Sequence, residues 1–191
     1  MWELVNRALK RGALSGHNAA APPSGVERAP HPAEAEIEVL GEALRVETHR
    51  LFRRSMRLRH LDAGSCNGCE SELTALLNPF YDLQRFGLDI VASPRHADAL
   101  LVTGPVSRHL ETAVRRTDEA TPRPRLIVAV GDCACHGGVC AGSFATLEGV
   151  QPVLPVNVRI PGCPPEPLAL LRGLLAGIGR IESGASAERR S

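Results

Sequence analysis

The stretch Gly64-Ser65-Cys66-Asn67-Gly68-Cys69-Glu70 sets two thiols three positions apart, where a strand-like run gives way to a helix-like one. A Cys-x-x-Cys pair suits a metal site or a redox dithiol and does not by itself choose between them. Two later strings, Gly131-Asp132-Cys133 and Pro161-Gly162-Cys163-Pro164-Pro165, also follow strand-like runs. Four sulfurs from three strand ends, Cys66, Cys69, Cys133 and Cys163, could therefore share one cluster. The remaining two of the six cysteines, Cys135 and Cys140, sit in the loop of Cys133. They read as non-ligating thiols, although Cys135 could take the place of Cys133. His136 either donates a hydrogen bond to the site or is a plain loop histidine.

Zinc sites of four cysteines usually draw on two Cys-x-x-Cys pairs from small knuckles. Here one pair and two singletons stand on an α/β pattern, and Gly162-Cys163-Pro164 is similar to the Cys-Pro ending of ferredoxin-type ligation. The pattern favours one 4Fe-4S cluster over zinc. Gly64, Gly68, Gly131, Gly137, Gly138 and Gly162 would let backbone approach a bulky group and bring amide donors to its sulfurs.

The elements that must position these thiols alternate. Strand patterns run over 58–63, 88–92, 99–103, 125–130 and 153–160, and helical patterns over 70–77, 109–119 and 166–178. The runs 100–102 and 126–130 are apolar without alternation, as strands covered on both faces are. This predicts an α/β, flavodoxin-like domain over 57–179, a mostly parallel sheet with helices on both faces. In such sheets the loops after the carboxyl ends of the strands share one edge, where ligands bind.

Ahead of that domain, 1–56 reads as an extension with two short helices, one near 1–11 and one over 37–51. A Pro/Ala-rich linker, 15–32, lies between them and cannot bury enough apolar surface to offset its entropy. The basic run 49–59 is either a solvated face or a docking patch for an acidic partner or an anionic membrane surface. Residues 180–191 read as a flexible tail.

The 191 residues carry a formal net charge of +1, which gives no reason to expect nucleic acid, and 43% hydrophobic content is ordinary. No run approaches the roughly 18 apolar residues of a membrane-spanning helix, so contact with a membrane would pass through partners. The first residues, charged where a secretory signal keeps an apolar core, predict a reducing compartment and hence metal or redox roles for the cysteines. No hydrolase motif and no Gly-x-Gly-x-x-Gly loop is present.

From 58 to 178 the sequence resembles the small subunit shared by group 4 nickel-iron hydrogenases, including the formate hydrogenlyase type, and the 20 kDa subunit of complex I. The resemblance rests on 62–70, Ser93-Pro94-Arg95-His96-Ala97-Asp98, Val102-Thr103-Gly104-Pro105-Val106 and 160–165. It implies one 4Fe-4S cluster held by Cys66, Cys69, Cys133 and Cys163, with Gly137 and Gly138 selecting Cys133 over Cys135. It also implies that Glu72 lies near the cluster and partner interface, although it could merely favour the first helical turn; Arg95 either tunes the cluster, contacts a partner or forms a surface ion pair. The implied partners are a nickel-iron large subunit, a ferredoxin-like iron-sulfur subunit and membrane subunits, with the assembly peripheral on the cytoplasmic face of the membrane. The chain would relay electrons without being catalytic alone. The complex I subunit carries two adjacent cysteines at the first motif, so the spaced Cys66 and Cys69 look like the hydrogenase branch. A complex I-like relay and a non-catalytic zinc-stabilised scaffold are the competing readings.

Overall fold

Short parallel strands rich in Leu, Val and Ile need both faces covered, and the computed structural model, which describes residues 32–188, has helices on both. In chain order the elements are α1 (Pro32–Phe52), β1 (Met56–Asp62), α2 (Gly68–Ala75), β2 (Leu88–Ile90), β3 (Ala99–Thr103), α3 (Glu111–Ala120), β4 (Leu126–Val130), α4 (Asp132–His136), β5 (Val158–Ile160) and α5 (Pro167–Glu188). The five strands are ordered β2-β1-β3-β4-β5 and every pairing is parallel. This is the doubly wound, flavodoxin-like order 2-1-3-4-5.

Alternate residues of each strand feed two apolar layers. Met56, Leu58, Leu101, Val128, Val130 and Ile160 pack with Ile37 and Leu44 of α1, Leu73 of α2 and Leu170, Leu171, Leu174 and Ile178 of α5. On the other face Leu100, Val102, Ile127 and Ala129 meet Val114 of α3 and Ala134 of α4. An ion pair between Asp118 and Arg125, with side chains 12% and 9% exposed, ties the end of α3 to the start of β4.

The helix expected over 37–51 is α1, and it belongs to the core: Ile37 and Leu44 are buried, and a Cβ on Gly41 would come within 2.1 Å of the Phe86 ring. The compact unit accordingly begins at Ala33, ahead of the boundary expected near 57. Arg50 and Arg54 of the basic run are engaged within the chain, with Glu47 and, in a two-point pair at 2.8 Å, with Asp98. The strand expected over 153–160 shortens to Val158–Ile160, because Val153 and Leu154 close a turn onto Val150 and pack into the second layer instead. α5 continues to Glu188, past the expected end at 178, since no proline interrupts a helix already nucleated. The expected helix near 1–11 and nearly all of the linker at 15–32 lie outside the described residues, and no described helix is long and apolar enough to cross a membrane.

Candidate metal centre

Three loops leave the carboxyl ends of β1, β4 and β5 and meet at one rim. The first is shaped by Asp62, whose Oδ1 accepts the N–H groups of Gly64 and Ser65, each at 2.8 Å. Ala63 N–H donates to the Thr103 carbonyl and Ser107 N–H to the Ala63 carbonyl, fastening this loop to β3. Asn67, at φ 71°, then turns the chain into α2 between Cys66 and Cys69. The other two loops are bolted together. Gly131 N–H donates to the Ile160 carbonyl, Asp132 N–H to the Gly162 carbonyl, and Gly162 N–H to Asp132 Oδ1 at 2.9 Å.

The thiols of Cys66, Cys69, Cys133 and Cys163 lie at this rim. Burial pushes the Cys69 thiol up to about 11, and the charges of Glu70, Cys133, Cys66 and Cys163 act in the same direction. Burial likewise pushes Cys133 up, against a backbone hydrogen bond from Val139, while Cys140, Cys163 and Cys66 add to the rise. Each thiol of the set is thus within electrostatic reach of another. Cys66 and Cys163 are exposed, so the rim opens outward.

Cys135 is turned elsewhere. Its thiol donates to the Ala129 carbonyl at 3.7 Å and packs against the α3 and α4 layer. Burial and Asp132 push its thiol up, opposed by a backbone bond from Ile160 and by Arg159. Two residues along a helix turn a side chain through about 200°, so Cys133 and Cys135 face opposite sides of α4. Cys140 stays near Cys133, on the turn Gly138–Cys140. His136 is 65% exposed and 3.8 Å from Asp132.

The glycines beside the thiols let the sulfurs come close to the backbone. A Cβ on Gly131 would lie 2.5 Å from Cys69 Sγ, and one on Gly138 would lie 2.9 Å from Cys133 Sγ. Four sulfurs around one zinc, at about 2.3 Å from it, stand within about 4 Å of one another. Among the described residues no three His, Cys, Asp or Glu side chains are close enough to hold a single ion. A thiol-only donor set edged by glycine fits an iron-sulfur cluster.

The two residues expected to tune the site fare differently from their neighbours. Glu72 is half-buried on α2, and Arg95 is exposed on the turn before β3; neither is among the groups acting on the buried thiols. Glu70, read from sequence only as a first-turn acid, is the inward carboxylate. It accepts a short hydrogen bond from Thr103 Oγ1 and lies 3.5 Å from His60 Nε2. The parallel register that sets Asp62 beside Thr103 brings these side chains together, and no local motif announces it.

The fold and the rim define a class: a flavodoxin-like α/β domain presenting cysteine thiols at the carboxyl edge of its sheet. The chain belongs to the family of the 20 kDa subunit of NADH ubiquinone oxidoreductase, whose sequence profile matches residues 66–177. A probable membrane-bound hydrogenase subunit of Pyrococcus furiosus is 44% identical over 128 residues, 67% of this chain and 77% of that protein. Formate hydrogenlyase subunit 7 of Escherichia coli is 40% identical over 131 residues, 69% of this chain but only 51% of that protein, so the match spans about half of its length. Among solved structures, a chain of the membrane-bound sulfane sulfur reductase, an archaeal respiratory membrane complex, superposes with a TM-score of 0.60 at 32% identity, covering 69% of this chain and 72% of that one.

Proposed function

We propose that Cys66, Cys69, Cys133 and Cys163 hold one 4Fe-4S cluster, and that the chain is the electron-relay subunit of a membrane-associated nickel-iron hydrogenase complex. When bound, such a cluster supplies one-electron transfer at a potential set by hydrogen bonds, charge and burial. The chain's own residues bring the four sulfurs to one rim at the carboxyl edge of the sheet and place the Val139 amide at Cys133. The observation that supports this most is the convergence of these four thiols at one rim, from which Cys135 is turned away. The hydrogenase setting is supported by the names of the Pyrococcus furiosus and Escherichia coli relatives and by the spaced Cys66 and Cys69. The partners would be a nickel-iron large subunit, a ferredoxin-like iron-sulfur subunit and membrane subunits through which the chain meets the cytoplasmic face of the membrane.

A second reading, a relay in a quinone-reducing complex, is favoured by the family's own description. The test is iron and sulfide content, low-temperature spin resonance of the reduced complex, and hydrogen-dependent dye reduction. Serine at Cys66, Cys69, Cys133 or Cys163 is expected to remove or alter the cluster signal, whereas Cys135→Ala keeps it. A signal lost with Cys135 and kept without Cys133 would overturn the ligand set. A loaded complex without hydrogen-dependent activity would favour the quinone reading, and zinc without iron and sulfide would overturn both.

A further inference from the structure

Cys140 has no part in the proposed ligand set, yet the chain folds it back onto Cys133. The Cys133 sulfur rests on the backbone just ahead of Cys140. A Cβ on Gly138 would stand 2.9 Å from Cys133 Sγ and 3.1 Å from its Cα, and the Val139 amide donates a hydrogen bond to the same thiol. Two backbone bonds fix the fold-back: Gly137 N–H donates to the Cys133 carbonyl at 2.9 Å and Cys140 N–H to the Gly137 carbonyl at 3.0 Å. The turn Gly138–Cys140 rises about 2 Å per residue, so it carries Cys140 about 4 Å beyond the glycine packed on Cys133. That step suits a disulfide, which joins Cα atoms roughly 4–7 Å apart. The charge of Cys140 accordingly acts on Cys133 more strongly than the charges of Cys163 and Cys66 do. Both sulfurs belong to half-buried residues, and Val139 between them is 88% exposed, so small solutes reach the turn.

We infer that Cys133 and Cys140 form a redox-modification site of the metal-free chain, joined in a disulfide by a peroxide and reopened by a dithiol before the cluster is seated. This rests on the ligand role proposed for Cys133. The Cys140 thiolate attacks one oxygen of hydrogen peroxide, the O–O bond breaks, and a sulfenic acid forms as hydroxide leaves. The Cys133 thiolate then attacks the Cys140 sulfur, forming the S–S bond and expelling a second hydroxide. With the two thiol protons these leave as water, so two thiols and one peroxide give one disulfide and two waters. A dithiol that is itself oxidised to a disulfide restores both thiols.

The other thiols are worse placed for this exchange. Cys135 is turned to the Ala129 carbonyl, and burial holds the Cys69 thiol at about 11, where thiolate is scarce. While the disulfide stands, Cys133 cannot take iron, and its sulfur is kept from the sulfinic state, which dithiols do not reverse. Once bonded to iron, the same sulfur is withdrawn from the exchange. In a reducing compartment such a bond is transient, as redox-sensing disulfides are.

The experiment treats the metal-free, full-length chain with a slight excess of hydrogen peroxide, alkylates the remaining thiols and maps them by mass spectrometry. A second portion receives iron and sulfide, with or without dithiothreitol. Wild type and Cys135→Ala are expected to lose two hydrogens from the peptide spanning Cys133 and Cys140, and Cys140→Ala is not. Untreated Cys140→Ala should load iron and sulfide as fully as the wild type, whereas treated wild type should load only after dithiothreitol. A wild type that pairs Cys66 with Cys69 alone, or a Cys140→Ala chain that loses the same two hydrogens, overturns the inference and leaves the cluster reading intact. Formation of the Cys133–Cys140 disulfide in the loaded complex as fast as in the metal-free chain, with all iron retained, overturns the ligand role of Cys133 instead.

Discussion

Gly131→Ala separates the demands of the cluster from those of the fold. Gly131 lies at φ 86° and ψ 160°, a region essentially reserved for glycine, so alanine costs about 1–3 kcal/mol in backbone strain. At about 2–4 °C per kcal/mol for a domain of this size, the melting temperature should fall by roughly 2–12 °C. The new Cβ would also stand 2.5 Å from Cys69 Sγ, about 1 Å inside an ordinary contact of 3.5 Å or more. A free thiol escapes by rotating; a thiolate bound to iron cannot. The variant should therefore fold, with the modest loss just given, and fail to hold the cluster. Gly142→Ala is the control, because Gly142 also has a positive φ, 76°, but nothing lies within 4 Å of its added Cβ. It should show the thermal shift without the loss of iron. The measurements are iron and sulfide per chain, the spin-resonance spectrum and a circular-dichroism melt. If Gly131→Ala retained full iron and sulfide with an unchanged spectrum, Cys69 would not occupy the position argued for it.

Two further outcomes follow from the charges. In the metal-free protein Cys69, raised from 9.0 to about 11, carries about a hundredfold less thiolate than an ordinary thiol, so iodoacetamide at pH 8 should label exposed Cys66 and Cys163 well before it. Equal labelling of Cys69 and Cys66 in mass mapping would refute the burial argument. Asp118→Asn breaks a buried ion pair at a cost of about 3–5 kcal/mol. This should lower the melting temperature by roughly 6–20 °C. The pair sits at the amino end of β4, so the iron content of the folded fraction should not change; a shift below 2 °C would show that water already screens the pair.

The strand-end cysteines were legible because the parallel alternation of strand and helix fixes which loops share an edge, whatever the details between them. The run Val153-Leu154-Pro155-Val156 was misleading for a related reason: apolar content marks burial, and Val153 and Leu154 satisfy it in a turn packed with Val114 of α3 rather than in β5. Cys135 could not be set aside by spacing alone, since its orientation depends on α4 beginning at Asp132. The string His60–Thr103–Glu70 was illegible because it depends on register between strands and on the depth of α2, neither of which leaves a local pattern.

The two aspartates of the rim explain why those loops can serve a ligand at all. Asp62 holds the Cys66 loop by two backbone amides, and Asp132 holds the Cys163 loop by one while its own amide returns to Gly162. Ordering a loop backbone costs about 1–2 kcal/mol per residue, a cost that binding must otherwise meet. Here side chains outside the proposed donor set meet it in the folded chain itself, with carboxylates that cap amides and contribute no sulfur. The same logic accounts for the placing of Glu70. A carboxylate beside the Cys69 thiol raises the cost of forming a thiolate there, and Thr103 Oγ1 directs it by donating a hydrogen bond to Oε1. Support of the loops and direction of the Glu70 carboxylate are thus separate tasks in this rim, given to different residues on the same strand ends.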